Sequence, residues 1–258
     1  MKIDRRGFIK LSGLAALGLI ARPTFDFISK LNRANAAVGE PVTPLTAKRW
    51  AMVIDLKACK ITEGCKDCIQ ACHSIHNVPD FGNPKDEVKW LWTVPFEQAF
   101  PEQENEFLRK DLKEIPALIL CNHCDNPPCV PVCPTKATFQ REDGIVMMDY
   151  HRCIGCRYCM AACPYGSRSF NWRNPRPFIK EIDPDFPTRT RGVVEKCNFC
   201  EERLARGLIP ACVEACNKAL FFGDLEDPTS EVRKILESRF SIRRKPELGT
   251  KPQVYYIV

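Results

Sequence analysis

Sixteen cysteines dominate the chemistry of this 258-residue chain, and they fall into four groups of four. The groups are Cys59, Cys65, Cys68, Cys72; Cys121, Cys124, Cys129, Cys133; Cys153, Cys156, Cys159, Cys163; and Cys197, Cys200, Cys212, Cys216. Thiol side chains in this number allow disulfides, zinc sites or iron–sulfur clusters, and spacing has to decide among them. The third group reads C-x2-C-x2-C-x3-C-P, ending on Pro164. Three thiolates so closely spaced wrap three iron corners of one cubane, and the fourth, projected from the next turn, ligates another cluster. The second group reads C-x2-C-x4-C-x3-C-P and ends on Pro134. Proline holds the residue before it extended and directs the chain onward. Reciprocal ligation then assigns Cys121, Cys124 and Cys129 with Cys163 to one cluster, and Cys153, Cys156 and Cys159 with Cys133 to its neighbour.

Groups one and four are C-x5-C-x2-C-x3-C and C-x2-C-x11-C-x3-C, and both keep the terminal x3 step. The same rule pairs Cys59, Cys65 and Cys68 with Cys216, and Cys197, Cys200 and Cys212 with Cys72. Sixteen thiolates thus supply four [4Fe–4S] clusters with none left over. Disulfides suit an exported protein, but adjacent C-x-x-C pairs would need remote partners in a crowded set. A tetrahedral zinc site takes two pairs, not a triplet and a distant fourth. No C-x-x-C precedes a His, so c-type haem attachment is absent.

The four histidines, His73, His76, His123 and His151, lie near Cys groups. Four complete quartets leave no iron corner for imidazole, so these rings are expected beside the clusters or at the surface. Tyr158 and Tyr165 read as packing residues. Residues 188–191 and Arg243, Arg244 and Lys245 read as solvated. No phosphate loop, nucleophile elbow or catalytic carboxylate pair stands out, so no catalytic residue is assigned and the chain shows no substrate site of its own.

The elements that must position the cysteines are short. Two β-prone runs flank Asp143-Gly144, a hairpin signal. The apolar run at 220–222 and residues 254–258 read as strands. Ser230 caps a helix with apolar positions Val232, Ile235, Leu236 and Phe240. Residues 74–116, with Trp90 and Trp92, lack periodicity. They form an ordered insertion whose aromatics pack either within the chain or on a partner. The fold class is α+β, with loops holding cysteine.

The N-terminus reads as an address. A basic start containing Arg5 and Arg6 precedes a moderately apolar run at 11–21, about 11 residues against the ~17–25 needed to span a bilayer. Ala34-Asn35-Ala36 supplies a small-residue cleavage pattern. With Phe8 and Lys10, the arginine pair resembles the twin-arginine export signal. Residues 1–36 are therefore read as that signal, an uncleaved anchor or an amphipathic helix being the alternatives. They hold seven basic and two acidic side chains, so a formal +1 of the total +6 remains for the rest. A nearly neutral domain is a poor nucleic-acid binder, and that class is dropped. The 45% hydrophobic content and mean hydropathy of −0.26 exclude a disordered chain and a polytopic membrane protein.

Across residues 50–228 the four Cys groups resemble the iron–sulfur electron-transfer subunits of the dimethyl sulfoxide reductase and polysulfide reductase type. Residues 71–79, 149–172 and 192–204 are more closely similar to the exported iron–sulfur subunits of the DsrMKJOP complex. The x5 gap after Cys59 is wider than that family's usual x2. The resemblance implies two bacterial-ferredoxin-like modules: groups two and three over 121–190, and group one (37–120, with the insertion) joined to group four (191–228). Residues 229–258 follow as a C-terminal helix and strand. It further implies an integral membrane quinone-interacting subunit and a multihaem cytochrome c as partners, at the extracytoplasmic (periplasmic) face of the cytoplasmic membrane. A molybdopterin reductase or nitrite-reduction system is the alternative setting. A disulfide- or zinc-stabilised exported binding module is the alternative class.

Overall fold

A computed structural model describes residues 43–107, 110–216 and 218–258. Residues 1–36, the stretch read as an export signal, lie outside the described residues. Among them, no helix is long and apolar enough to cross a membrane.

Four strands form the largest sheet: β1 (Trp50–Asp55), β8 (Leu220–Asp224), β9 (Ser241–Ile242) and β10 (Val254–Ile257), in the order β8-β1-β10-β9. Every residue of β1 is buried, because it is a central strand covered on both faces. Its alternation divides the core. Trp50, Met52 and Ile54 face the main cluster with Trp90, Leu118 and Tyr256. Ala51 and Val53 face the other way, onto Val232 and Ile257. Val232 belongs to the helix Glu231–Ser238, whose N-cap Ser230 accepts from the Arg233 amide at 3.2 Å. That helix stops before Phe240, which is largely exposed and is not one of its apolar positions. The C-terminal strand is integral to the sheet, pairing in parallel with β1 from Met52↔Val254 to Asp55↔Ile257.

The insertion orders itself around a two-stranded ribbon. Strand β2 (Leu91–Pro95) pairs with β3 (Pro116–Leu120), Leu91 opposite Leu120 and Pro95 opposite Pro116. Trp90 is fully buried within the chain: its Nε1 donates to Glu195 at 3.0 Å and its ring stacks on His76 at 4.4 Å. Burying each side chain of this size contributes about 1.5–3 kcal/mol, so these aromatics are explained by intramolecular packing. The Asp143-Gly144 turn joins β4 (Thr138–Gln140) to β5 (Val146–Met148), with Thr138 opposite Met148. Two further short strands, β6 (Ser169–Phe170) and β7 (Val194–Glu195), pair antiparallel. Mixed helix and sheet around long loops is the α+β organisation expected.

Three surface readings are corrected. Arg189, within the stretch read as solvated, is buried and paired with Glu195. Arg244 is likewise buried, donating from Nε to the Ala99 carbonyl at 3.0 Å beneath Tyr165. Tyr158, read as a packing residue, is 62% exposed. In the first two cases the long basic side chain finds buried carbonyls or a carboxylate contributed by distant segments, which composition alone does not reveal.

Candidate metal centres

All sixteen cysteines are free thiols, and none forms a disulfide. Those of groups two and three surround two cavities. Cys121, Cys124, Cys129 and Cys163 line one, with Pro127, Pro128 and Tyr165, enclosing about 320 Å³ not filled by atoms and partly open to solvent. Cys133, Cys153, Cys156 and Cys159 line the second, about 270 Å³ by the same measure. In each, three sulfurs come from one group and the fourth from the other.

Groups one and four meet through two helices that pack against each other. Cys68 and Cys72 sit one turn apart on the helix Asp67–Ile75, and Cys212 lies on Ala211–Ala215, which Cys216 caps. Cys68 feels the charge of Cys216, Cys59 and Cys65. Cys72 feels that of Cys212, Cys197 and Cys200. This crossed pairing is that of oppositely directed helices. The 3₁₀ turn Lys60–Glu63 occupies the wide gap after Cys59, so the three added residues are absorbed without removing Cys59 from its neighbours.

Backbone conformation shapes the loops. Cys200 and Phe199 have φ of 54° and 57°, and Arg157 and His123 also lie in the left-handed region. At Gly155 (φ +70°) an added Cβ would collide with the Gly192 carbonyl oxygen, so the loop between Cys153 and Cys156 admits only glycine without displacement. Amides point at sulfur: Phe199 N–H donates to Cys197 Sγ at 3.4 Å and Thr138 N–H to Cys133 Sγ at 3.5 Å.

The electrostatics demand a cationic occupant. Burial pushes the thiols of Cys68, Cys124 and Cys197 up to about 12, and neighbouring cysteines add to the rise. Cys72, Cys200 and Cys212 are raised well above the ordinary value for the same reasons. At Cys133 burial acts upward too, but the Thr138 amide and the Thr135 hydroxyl outweigh it and hold the thiol below its usual value. Thiols packed this way ionise only around positive charge, and a sulfur-ligated iron core supplies it.

Single zinc ions fit poorly. Sulfurs about 2.3 Å from one zinc stand about 3.8 Å apart. Among the described residues, the group of ligand-type atoms lying within 4.8 Å of one another is His76, Cys200 and Glu202. No trio of cysteines is that close. Quartets this open, lined by soft donors and amide N–H groups, fit a polynuclear iron–sulfur core.

The quartets are linked in series. Cys68 interacts with both Cys72 and Cys212, Cys197 with Cys121, and Cys159 with Cys129. Between the Cys121 and Cys197 loops, the rings of His123 and Phe199 stack at 3.7 Å. Both His76 and His123 are buried beside the quartets, whereas His151 is exposed. His73 meets the Leu91 carbonyl at 3.1 Å. Tyr165 is buried and hydrogen-bonds Thr250. Sequence reasoning missed Arg168 and Lys196, two buried cations among the cysteines. Their only sequence signal is a basic residue shortly after Pro164 and another immediately before Cys197.

Residues 116–176 match the 4Fe-4S dicluster domain family. The chain is 40% identical over 275 residues to the Hdr-like menaquinol oxidoreductase iron-sulfur subunit 1 of Archaeoglobus fulgidus, covering 98% of this chain and 97% of that protein. It is 38% identical over 237 residues to the menaquinone reductase iron-sulfur cluster-binding subunit of Nitratidesulfovibrio vulgaris, covering 81% and 88%. Identity is 40% over 257 residues to the NrfC homologue of Haemophilus influenzae, covering 98% and 94%.

Proposed function

Because this chain belongs to the family of iron–sulfur subunits that includes those of menaquinol oxidoreductase and menaquinone reductase, we propose that it relays single electrons through four [4Fe–4S] clusters between a membrane quinone-interacting subunit and a haem or other redox partner. Its setting is a sulfur-metabolism-linked respiratory complex of the DsrMKJOP kind. The observation that carries this reading is the grouping of sixteen free thiols into four sets of four with none over.

In this reading two ferredoxin-like modules hold the clusters, one built from groups two and three, the other from groups one and four. Bound clusters supply one-electron acceptors and donors. The protein's own residues do the rest. Cys59, Cys65, Cys68 and Cys216 hold one cluster; Cys72, Cys197, Cys200 and Cys212 the next; Cys121, Cys124, Cys129 and Cys163 the third; Cys133, Cys153, Cys156 and Cys159 the last. Amides such as Phe199 N–H and Thr138 N–H stabilise anionic sulfur. Apolar packing around Cys72, Cys197 and Cys212 keeps water from their sulfurs.

Residues 1–36 would export the folded chain by the twin-arginine route and leave it at the extracytoplasmic face of the membrane. Contact with a quinone-interacting membrane subunit and a multihaem cytochrome c would then occur through the surface of the folded domain.

Anaerobic iron and sulfide analysis tests the cluster number: four clusters require about 16 Fe per chain. An intact preparation below about 12 Fe sinks the assignment. Affinity isolation from solubilised membranes tests the setting. Co-purifying haem supports it, and co-purifying molybdenum moves the chain to a molybdopterin reductase.

A further inference from the structure

Arg168 is 4% exposed, yet among the described residues no carboxylate pairs with it. Its Nη2 donates to Cys129 Sγ at 3.0 Å, and its Nη1 to Thr138 Oγ1 at 3.0 Å and towards Met148 Sδ at 3.8 Å. Its charge also acts on Cys159, opposing the rise that burial gives that thiol. Cys129 lines one cavity and Cys159 the other, so one guanidinium donates to a sulfur of one quartet and acts by its charge on a sulfur of the other. Lys196, 1% exposed, is a second buried cation with no carboxylate partner among the described residues, donating to the carbonyls of Val146 and Cys197. It interacts with Cys121, Cys129 and Cys197.

An uncompensated buried cation is costly, and the cost is recovered only by negative charge nearby. Elsewhere in the core the rule is visible: Arg189 pairs with Glu195. At Arg168 the available negative charge is thiolate sulfur. Each one-electron reduction adds a negative charge to the cluster held there, and a fixed cation stabilises that reduced form. In the other half of the chain Lys196 reaches Cys197 alone among these cysteines, and acids face the sulfurs as well. Cys59 feels Asp55, and Cys197 and Cys200 feel Glu202.

We propose that Arg168 is the shared counter-charge of the two clusters held by Cys121, Cys124, Cys129, Cys163 and by Cys133, Cys153, Cys156, Cys159, making them the higher-potential pair of the four. Arg168 is a positioning residue, acting through Cys129 and Cys159. Electrons entering the relay settle towards this half of the protein. The inference rests on the four-cluster reading above.

The test is a potentiometric titration of the full-length, cluster-loaded protein followed by electron paramagnetic resonance. In Arg168→Gln, which keeps a donor but removes the charge, two midpoint potentials fall, two stay, and iron content is unchanged. Arg168→Lys, which keeps the charge, restores most of the shift. Four unchanged midpoints in a fully loaded Arg168→Gln protein overturn the proposal, as does an equal fall in Arg168→Lys. A second arm, which leaves Arg168 in place, covers failure of Arg168→Gln to load. In the unsubstituted protein the two signals appearing first on reduction are those altered by Cys124→Ser and by Cys156→Ser, and the opposite order overturns the proposal. Iron content of the unsubstituted protein separates the two levels: fewer than about 12 Fe defeats the four-cluster reading itself, whereas about 16 Fe with unmoved potentials defeats only the role of Arg168.

Discussion

The Arg189 guanidinium lies 2.5 Å from the Glu195 carboxylate, and neither side chain has any solvent exposure. Glu195 also accepts from Trp90 Nε1 at 3.0 Å and from Asn171 Nδ2. Arg189 donates to the carbonyls of His76, Pro187 and Asn77. One ion pair thereby fastens the insertion, strand β7 and the loop after the helix Asp67–Ile75.

Removing one partner of such a pair leaves a buried charge. Glu195→Ala should destabilise the protein by about 3–5 kcal/mol, lowering its denaturation midpoint in urea. A loss below about 1 kcal/mol would place this pair with weak surface bridges instead.

Gly155 sits at φ +70° against the Gly192 carbonyl. Gly155→Ala should cost about 1–3 kcal/mol through backbone strain and loosen the loop bearing Cys153 and Cys156. The expected readout is selective loss of about one cluster's iron, with the remaining paramagnetic signals intact. Gly166→Ala, at φ +64° but with nothing near the added Cβ, carries the backbone strain without the clash and should retain more iron than Gly155→Ala.

Burial alone would raise the Asp55 carboxyl, but the amides of Ala58 and Lys57 and the Arg239 guanidinium, 2.6 Å away, outweigh it and hold it below its usual value. A depressed folded value means the unfolded chain binds the proton more readily. The stabilisation is therefore complete above the ordinary carboxylate range and disappears as pH falls through the folded value. Urea midpoints of Asp55→Asn and the parent should differ most above about pH 5 and converge towards about pH 3. A difference that persists unchanged into acid would contradict the linkage.

Ser230 caps the helix that covers β1, accepting from Arg233 N–H and donating to the Asp224 carbonyl at 2.6 Å. Ser230→Ala should cost about 0.5–2 kcal/mol, seen as a lower thermal midpoint. Ser230→Gly should cost less than alanine does, because glycine leaves the capping groups open to water.

Much of the fold was legible from local signals. The Asp143-Gly144 turn, the Ser230 cap and the C-terminal strand depend on residues adjacent in sequence, and each appears in the structure. The insertion was not legible, because β2 pairs with β3 across a long irregular stretch and short paired strands leave no periodicity. Arg189 and Arg244 were misread for a related reason. A basic side chain is exposed by default, and only remote carbonyls and carboxylates reverse that.

By itself the sequence determined the chemistry: sixteen soft sulfur donors in four groups, each spaced so that neighbouring thiols sit on one loop or one helical turn. Such spacing is local geometry, and a few residues of chain suffice to encode it. The terminal x3 step also anticipated the distant cysteine that completes each cavity, Cys163 for one and Cys133 for the other; tertiary structure alone decided which charges face it. Arg168 donates to Cys129 and acts by its charge on Cys159 because folding brings separate segments back on one another. Coulomb interactions depend on distance in space rather than along the chain, so the electrostatic setting of these thiols could be read only from the folded protein.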